Sequence, residues 1–191
     1  MTAQARPIEL ERIYTNKEFE TMPEFDKNFE LIDGRLVEGE MPGHEHSLIA
    51  DIIREHYRDF DPDKTKGQLL QEISVTLDLN NTLTPDVAYW KAENKIKGRL
   101  AGAAPKPDLA VEVLSPRDVK SKNRREEVNL KIRKYLVAGV ALVWVINLKQ
   151  QEVEVYQPGQ TTPIETLGIN QELDGKQVIP GFKLKIAKLF E

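Results

Sequence analysis

Cysteine is absent from the 191 residues, which excludes a disulfide framework, a thiolate zinc site and a thiol nucleophile, and is compatible with a reducing cytoplasm. Long apolar runs are absent too. The longest, Tyr135 to Ile146, is fenced by Lys134 and Asn147; a membrane-spanning helix needs about 20 apolar residues, so this run reads as core. The first residues, Met1-Thr2-Ala3-Gln4-Ala5-Arg6-Pro7, lack the basic-then-apolar pattern of an export signal. No excess of positive charge is present: a net charge of −4 and a pI near 5.6 argue against a broad nucleic-acid footprint. There is no Gly-x-Gly-x-x-Gly after a strand, no Gly-Lys-Ser/Thr loop and no Gly-x-Ser-x-Gly elbow, so nicotinamide, ATP and serine-hydrolase chemistry have no foothold. Nor does any repeat, low-complexity tract or linker divide the chain. With 40% hydrophobic and 30% charged residues, residues 1–191 are expected to form a single cytoplasmic domain around a real core.

What is present is a run of alternating elements. Thr15-Asn16-Lys17-Glu18 has the form of a capping box, starting a short helix that should end near Pro23. Asp33-Gly34, between Phe29-Glu30-Leu31-Ile32 and Arg35-Leu36-Val37-Glu38, predicts a tight N-terminal hairpin. From His44 to Phe60, Ile49, Ile52, Ile53, Tyr57 and Phe60 share one stripe opposite Asp51, Arg54, Glu55 and Arg58, the pattern of an amphipathic helix that Asp61-Pro62-Asp63 stops. Leu69 to Leu79 alternates through Ile73, Val75 and Leu77 and predicts one half-buried strand, with a hairpin leading to a strand that begins at Asp86. Lys91 to Lys106 is a charged, then small and flexible connection into a central strand, Leu109 to Leu114. A helix from Asn123 to Ala138, closed at Gly139, leads to a buried parallel strand, Ala141 to Ile146. Glu152 to Tyr156 reads as an outer strand, and Leu173-Asp174-Gly175 with Pro180 to Ile186 as one more turn and strand near the C-terminus. Helix, three strands, helix, strand make a mixed sheet with helices packed on it, an α/β or α+β arrangement whose core runs from about 29 to 157. Trp90 and Trp144 read as core.

Two carboxylates close consecutive strands: Asp86 in Thr84-Pro85-Asp86-Val87-Ala88-Tyr89, and Glu112 in Pro107-Asp108-Leu109-Ala110-Val111-Glu112-Val113-Leu114. An acid in so apolar a run loses hydration unless a positive charge meets it, and two acids on neighbouring strands repel each other. Mg²⁺ resolves both problems, since it accepts one or two protein carboxylates and keeps waters or phosphate oxygens in its other positions. Basic residues cluster nearby: Arg117, Lys120, Lys122, Arg124, Arg125, Lys131, Arg133 and Lys134 stand with only Asp118, Glu126 and Glu127. That run is either a nucleic-acid contact or a solvated helix laced with ion pairs. His44-Glu45-His46 lacks the two-histidine spacing of metalloproteases and has no cysteine to complete a zinc set.

This order of elements, with Pro85-Asp86 on one strand and an acid on the next, resembles the PD-(D/E)xK nuclease superfamily, and within it the restriction-endonuclease-like branch of uncharacterised bacterial nucleases. The matching pieces are Phe29 to Gly34, Glu45-His46, Thr84 to Ala88, Pro107 to Pro116, and Lys131 with Tyr135, Gly139 and Trp144. The resemblance implies a restriction-endonuclease-like fold and hydrolysis of phosphodiester bonds with Mg²⁺ or Mn²⁺. Asp86 and Glu112 would be the metal ligands and a lysine would orient or polarise the attacking water. Leu114 stands where the superfamily's strand lysine is expected. The branch carries a lysine on the following helix, which maps to Lys131, with Lys134 as the fallback. Val128 and Tyr135 flank Lys131 at helical spacings, so its stem can follow the apolar face while its ammonium reaches the strand ends. The resemblance also nominates Glu30 as a third acid or a cation's partner, and His46 as a contact to substrate or to a supporting acid. Asp108 is assigned to the strand entrance, with a supporting place near the metal as the lesser option. DNA is the expected partner. A homodimer is expected because cutting two strands favours two-fold symmetry, with edges near Val153 and Leu184 offering a place to join. A binding or assembly module without catalysis, its carboxylates and Lys131 forming a buried ion network, is the competing reading.

Overall fold

Two sheets are laid together around the helix Lys122–Val137, and Glu30, Asp86 and Glu112 lie where they meet. The computed structural model describes residues 11–22, 29–39, 43–98, 102–114 and 122–191. In chain order the elements are α1 (Asn16–Glu20), β1 (Phe29–Ile32), β2 (Arg35–Glu38), α2 (His44–Phe60), β3 (Gly67–Gln71), β4 (Val75–Asp78), β5 (Asn81–Leu83) and β6 (Val87–Lys91). There follow β7 (Ala104–Pro105), β8 (Leu109–Leu114), α3 (Lys122–Val137), β9 (Leu142–Asn147), β10 (Glu152–Tyr156), β11 (Glu165–Gly168), β12 (Glu172–Asp174) and β13 (Lys183–Lys185). A six-stranded sheet runs β11-β10-β9-β8-β6-β3, and a five-stranded sheet runs β2-β1-β5-β4-β7. Only β8 and β9 pair in parallel within the larger sheet, because α3 carries the chain across between them.

Local chemistry explains most boundaries. The Thr15 hydroxyl accepts the Glu18 N–H, and the Glu18 carboxylate accepts the Thr15 N–H at 2.9 Å, completing the capping box. Asp33 and Gly34 take φ values of 50° and 75°, as the tight β1–β2 turn requires. α1 ends at Glu20 with Thr21 as its cap, three residues short of Pro23, which itself lies outside the described residues. α2 buries Ile49, Ile53 and Tyr57 against Val87, Tyr89, Leu109, Val111 and Trp144 on one face of the larger sheet, each contributing about 2 kcal/mol by leaving water. The β12–β13 ribbon, through Leu173, Phe182 and Leu184, completes that face. On the other face, Val128, Ile132 and Tyr135 of α3 pack with Ala88, Trp90, Ala110, Leu114, Val143 and Val145, joined by Val75 and Leu83 of the smaller sheet. With both faces covered, β8 and β9 are almost wholly apolar, and Glu112 is the one acid within them. Trp90 and Trp144 are core.

The stretch Leu69–Leu79 is not one strand. It breaks after Gln71: Glu72 turns to φ 49° and donates its N–H to the Asp86 carbonyl, so β3 joins the larger sheet and β4 the smaller. The hairpin that follows is β4–β5, and the chain then crosses between sheets through Thr84-Pro85, leaving Asp86 immediately before β6 rather than within a strand. β10 is not an outer strand, since β11 covers its far edge. Val153 and Leu184 are buried, so the two edges expected to join a partner are not open at those residues. Within the larger sheet the three strands between α2 and α3 are β3, β6 and β8, which restores the expected order of helix, three strands, helix, strand.

Candidate active site

Strand parity sets the direction of Glu112. It projects with Ala110 and Leu114 toward α3, while Val111 and Val113 face α2. Asp86 arrives from the crossover just before β6, the neighbouring strand. The β6–β8 register pairs Val87 with Val111, and beyond it the Val113 N–H is taken up by the Asp86 carboxylate, Oδ2 accepting at 2.7 Å. Its Oδ1 lies 3.0 Å from His46 Nδ1, in the first turn of α2. A carboxylate only accepts, so Nδ1 carries the proton of that bond.

Lys131 enters from α3 and is the hub. Its Nζ is 2.8 Å from Glu112 Oε1 and 3.0 Å from Glu30 Oε1, and it donates to the Thr84 carbonyl at 3.3 Å. Glu30, on β1, also accepts the Thr84 N–H at 2.7 Å. Its carboxylate thus ties the hairpin to the crossover that delivers Asp86. The Tyr135 hydroxyl, one turn beyond Lys131, donates to Glu112 Oε1 at 2.7 Å. Glu30, His46, Thr84, Asp86, Glu112 and Lys131 line a cavity of about 330 Å³, which Glu38, Glu72 and Glu127 also line, while Tyr135 lies behind it. The side chains of Glu30, His46, Asp86, Glu112 and Lys131 are each 12% exposed or less.

One ammonium therefore serves several buried acids, and the ionisation equilibria reflect it. Burial pushes Glu112 up, the charges of Asp86 and Glu30 push it further, and Lys131 opposes without prevailing, leaving its pKa at about 7. Burial alone would lower the Lys131 pKa, but Glu112 and Glu30 outweigh it and hold the ammonium charged well beyond its ordinary range. A lone ion pair would shift its two members in opposite directions. Here both rise, because burial disfavours the charged Glu112 and its one cation among the described residues is offset by two repelling acids, while the ammonium has several anions. Burial and then Glu112 push the Tyr135 phenol up as well, so it stays a donor.

The structure thus brings Glu30, His46, Asp86, Glu112 and Lys131 to one cavity. Lys134 does not join them; it pairs with Asp33 in the β1–β2 turn. Asp108 sits at the opposite end of β8, accepting the Lys91 N–H at 2.8 Å and Asn94 Nδ2 at 2.9 Å, which ties down the turn after β6 and leaves it no supporting place near the acids. Of the basic run, Arg117 and Lys120 lie outside the described residues, as do the side chains of Lys122 and Arg124 and the Ser115-Pro116 end of the strand motif. Arg125 pairs with Glu154 at 2.7 Å, so Arg125, Lys131 and Lys134 are all engaged in internal ion pairs and Arg133 is exposed. Tyr135 reads in the sequence as one residue of an apolar stripe. Its spacing of four from Lys131 was the available sign that its hydroxyl would reach the same acid. Among the described residues, no three His, Asp or Glu side chains form a ready metal cage, and no helix is long and apolar enough to cross a membrane.

The sequence model of the Uma2 family, described as "Putative restriction endonuclease", matches residues 17–187. Among solved structures, the fold is similar to that of a protein from Anabaena variabilis described as a putative nuclease belonging to DUF820. The identity is 23%, the match covers 92% of this chain and 97% of that one, and the TM-score is 0.72. The mixed α/β architecture is therefore shared with that protein. The type IIG restriction endonuclease BpuSI matches at 12% identity over 80% of this chain and 16% of its own, with a TM-score of 0.40, a likeness too slight to argue from. No curated protein matches.

Proposed function

The chain belongs to the Uma2 family, described as putative restriction endonucleases, and from that premise we propose a divalent-metal-dependent endonuclease that hydrolyses phosphodiester bonds of DNA. The observation that carries this reading is the shortage of positive charge in the cavity: Lys131 is shared among Glu112, Glu30 and, at longer range, Asp86. The donors present fit Mg²⁺ or Mn²⁺. They are hard oxygens, and Asp86 and Glu112, which line the same cavity, supply the one or two carboxylates such an ion takes beside its waters and phosphate oxygens.

Asp86 and Glu112 would hold the ion, which when bound would neutralise phosphate charge and lower the pKa of water. Lys131 is too firmly charged to act as a base. It holds a fixed positive charge beside the reacting phosphate and stabilises the negative charge that develops there. Glu30 and the Thr84 carbonyl aim that ammonium, so Glu30 works as the partner of Lys131. His46 orients Asp86 through Nδ1. A working form that is a cytoplasmic homodimer, each copy one domain, suits cleavage of both strands of a symmetric substrate; β3 and β11 are the strands at the two ends of the larger sheet.

The test is incubation with supercoiled plasmid and Mg²⁺ or Mn²⁺, alongside Asp86→Ala and Glu112→Ala. Nicking by the wild type that falls about a hundredfold or more in both variants is the expected result. Nicking retained in both would remove this site. No nicking and no calorimetric uptake of Mn²⁺ by the wild type would leave the inert ion network as the reading.

A further inference from the structure

We propose that Tyr135 is a positioning residue: by holding one oxygen of Glu112 it keeps the other turned to the cavity, and so sets how tightly the site takes a divalent cation. This inference rests on the metal-dependent reading above. Tyr135 is fully buried among Val128, Ile132, Val140 and Val143, a setting in which phenylalanine would pack equally well and a hydroxyl needs a partner. That partner is an acid lining the cavity, reached from a different element at 2.7 Å.

A glutamate carboxyl group rotates readily about its last torsion. Here both donors, Tyr135 and Lys131, converge on Oε1, and among the described residues Oε2 has neither a hydrogen bond nor an ion pair. The two donors differ in kind. Lys131 is a flexible point charge shared with Glu30 and Thr84, whereas the Tyr135 ring is clamped in the core and its hydroxyl has one direction to point. The phenol therefore supplies the orientation that the ammonium cannot, and Glu112 offers its second oxygen without first paying to order it.

Calorimetric titration with Mn²⁺ tests this on the full chain. Tyr135→Phe keeps the ring and its packing, and should raise the Mn²⁺ Kd about 10- to 100-fold, with a metal-free thermal midpoint that does not explain the loss. A Kd within about twofold of the wild type, against a wild type that does bind Mn²⁺, overturns the positioning role alone, since known supporting groups cost more than that. A wild type that binds no Mn²⁺ overturns the metal-dependent reading, and the positioning role with it. A second measurement does not depend on the variant folding. With 3-fluorotyrosine at all five tyrosines, Mg²⁺ should shift one ¹⁹F resonance; a spectrum in which none moves overturns the proposal.

Discussion

Asp61 and Glu112 both expose little surface, 3% and 5%, and each accepts a hydroxyl from a helical tyrosine, yet Asp61 lies near the surface beside the exposed residues 62–66 while Glu112 lies deep between sheet and helix, and they are opposite kinds of site. Asp61 closes α2. Its oxygens accept the Tyr57 hydroxyl at 2.9 Å, the Thr65 N–H at 2.9 Å and the Lys66 N–H at 3.0 Å. Burial would raise its pKa, but these donors outweigh it and hold the carboxyl below its ordinary value. Glu112 has a full cation beside it and is nevertheless pushed up to about 7. Depth of burial first, and then the number of donors set against the neighbouring charges, decide whether such an acid is content; one counter-charge does not suffice. Asp61 is a finished piece of architecture, while Glu112 sits in a site still short of positive charge.

The sharpest break in that comparison is Lys131→Met. It leaves Glu112, Glu30 and Asp86 without their ammonium, and should cost about 3–5 kcal/mol of stability near pH 8 in chemical denaturation, together with all measurable nicking. Asp61→Ala should cost about 2–3 kcal/mol by taking the acceptor from the Tyr57 hydroxyl and from the Thr65 and Lys66 donors, yet leave the Mn²⁺ Kd unchanged in a calorimetric titration. Should Mn²⁺ binding fall with it, the two acids are not independent. Glu112→Gln should go the other way and stabilise the metal-free protein at pH 8, by on the order of 2 kcal/mol, while abolishing Mn²⁺ uptake.

The pH dependence follows from the same contrast. Glu112 has a raised folded pKa, so its contribution to stability is fully present below the ordinary carboxylate value and is lost as pH climbs through about 7. Asp61 has a lowered one, so its contribution is present above the ordinary value and is lost only as pH falls through the folded pKa. Thermal melts of the metal-free wild type from pH 5 to 8 should decline more steeply than those of Glu112→Gln. The smallest effect is expected from Tyr57→Phe, which removes one bond to a satisfied acid and should cost about 1 kcal/mol with no change in Mn²⁺ affinity. Tyr135→Phe, chemically the same change, should alter that affinity.

Much of this frame is legible in the chain because its signals are local. The stripe of Ile49, Ile53 and Tyr57 sets α2 to the residue, Asp33-Gly34 sets the hairpin, and the apolar runs of β8 and β9, interrupted in β8 by Glu112, mark strands covered on both faces. The failures have a common cause. Alternation through Ile73, Val75 and Leu77 looks the same whether the strand continues or changes sheets, and the change is made at Glu72 by a bond to the Asp86 carbonyl. β11 escaped notice because Glu165–Gly168 has little apolar pattern of its own, and it is held by its register against Glu152–Val155.

By itself, then, the sequence determined where most helices and strands run and which acids, Asp86 beside one strand and Glu112 within the next, stand in apolar surroundings, since hydrophobic period and turn chemistry act between near neighbours. Only the tertiary structure decided which groups share a charge. Lys131 meets Glu30, Glu112 and Thr84, Tyr135 meets Glu112, and Lys134 is drawn off to Asp33. Contacts between residues so far apart along the chain exist only once two sheets and α3 have packed, because electrostatic partnership depends on distance in space and on burial, and neither is written in any single segment.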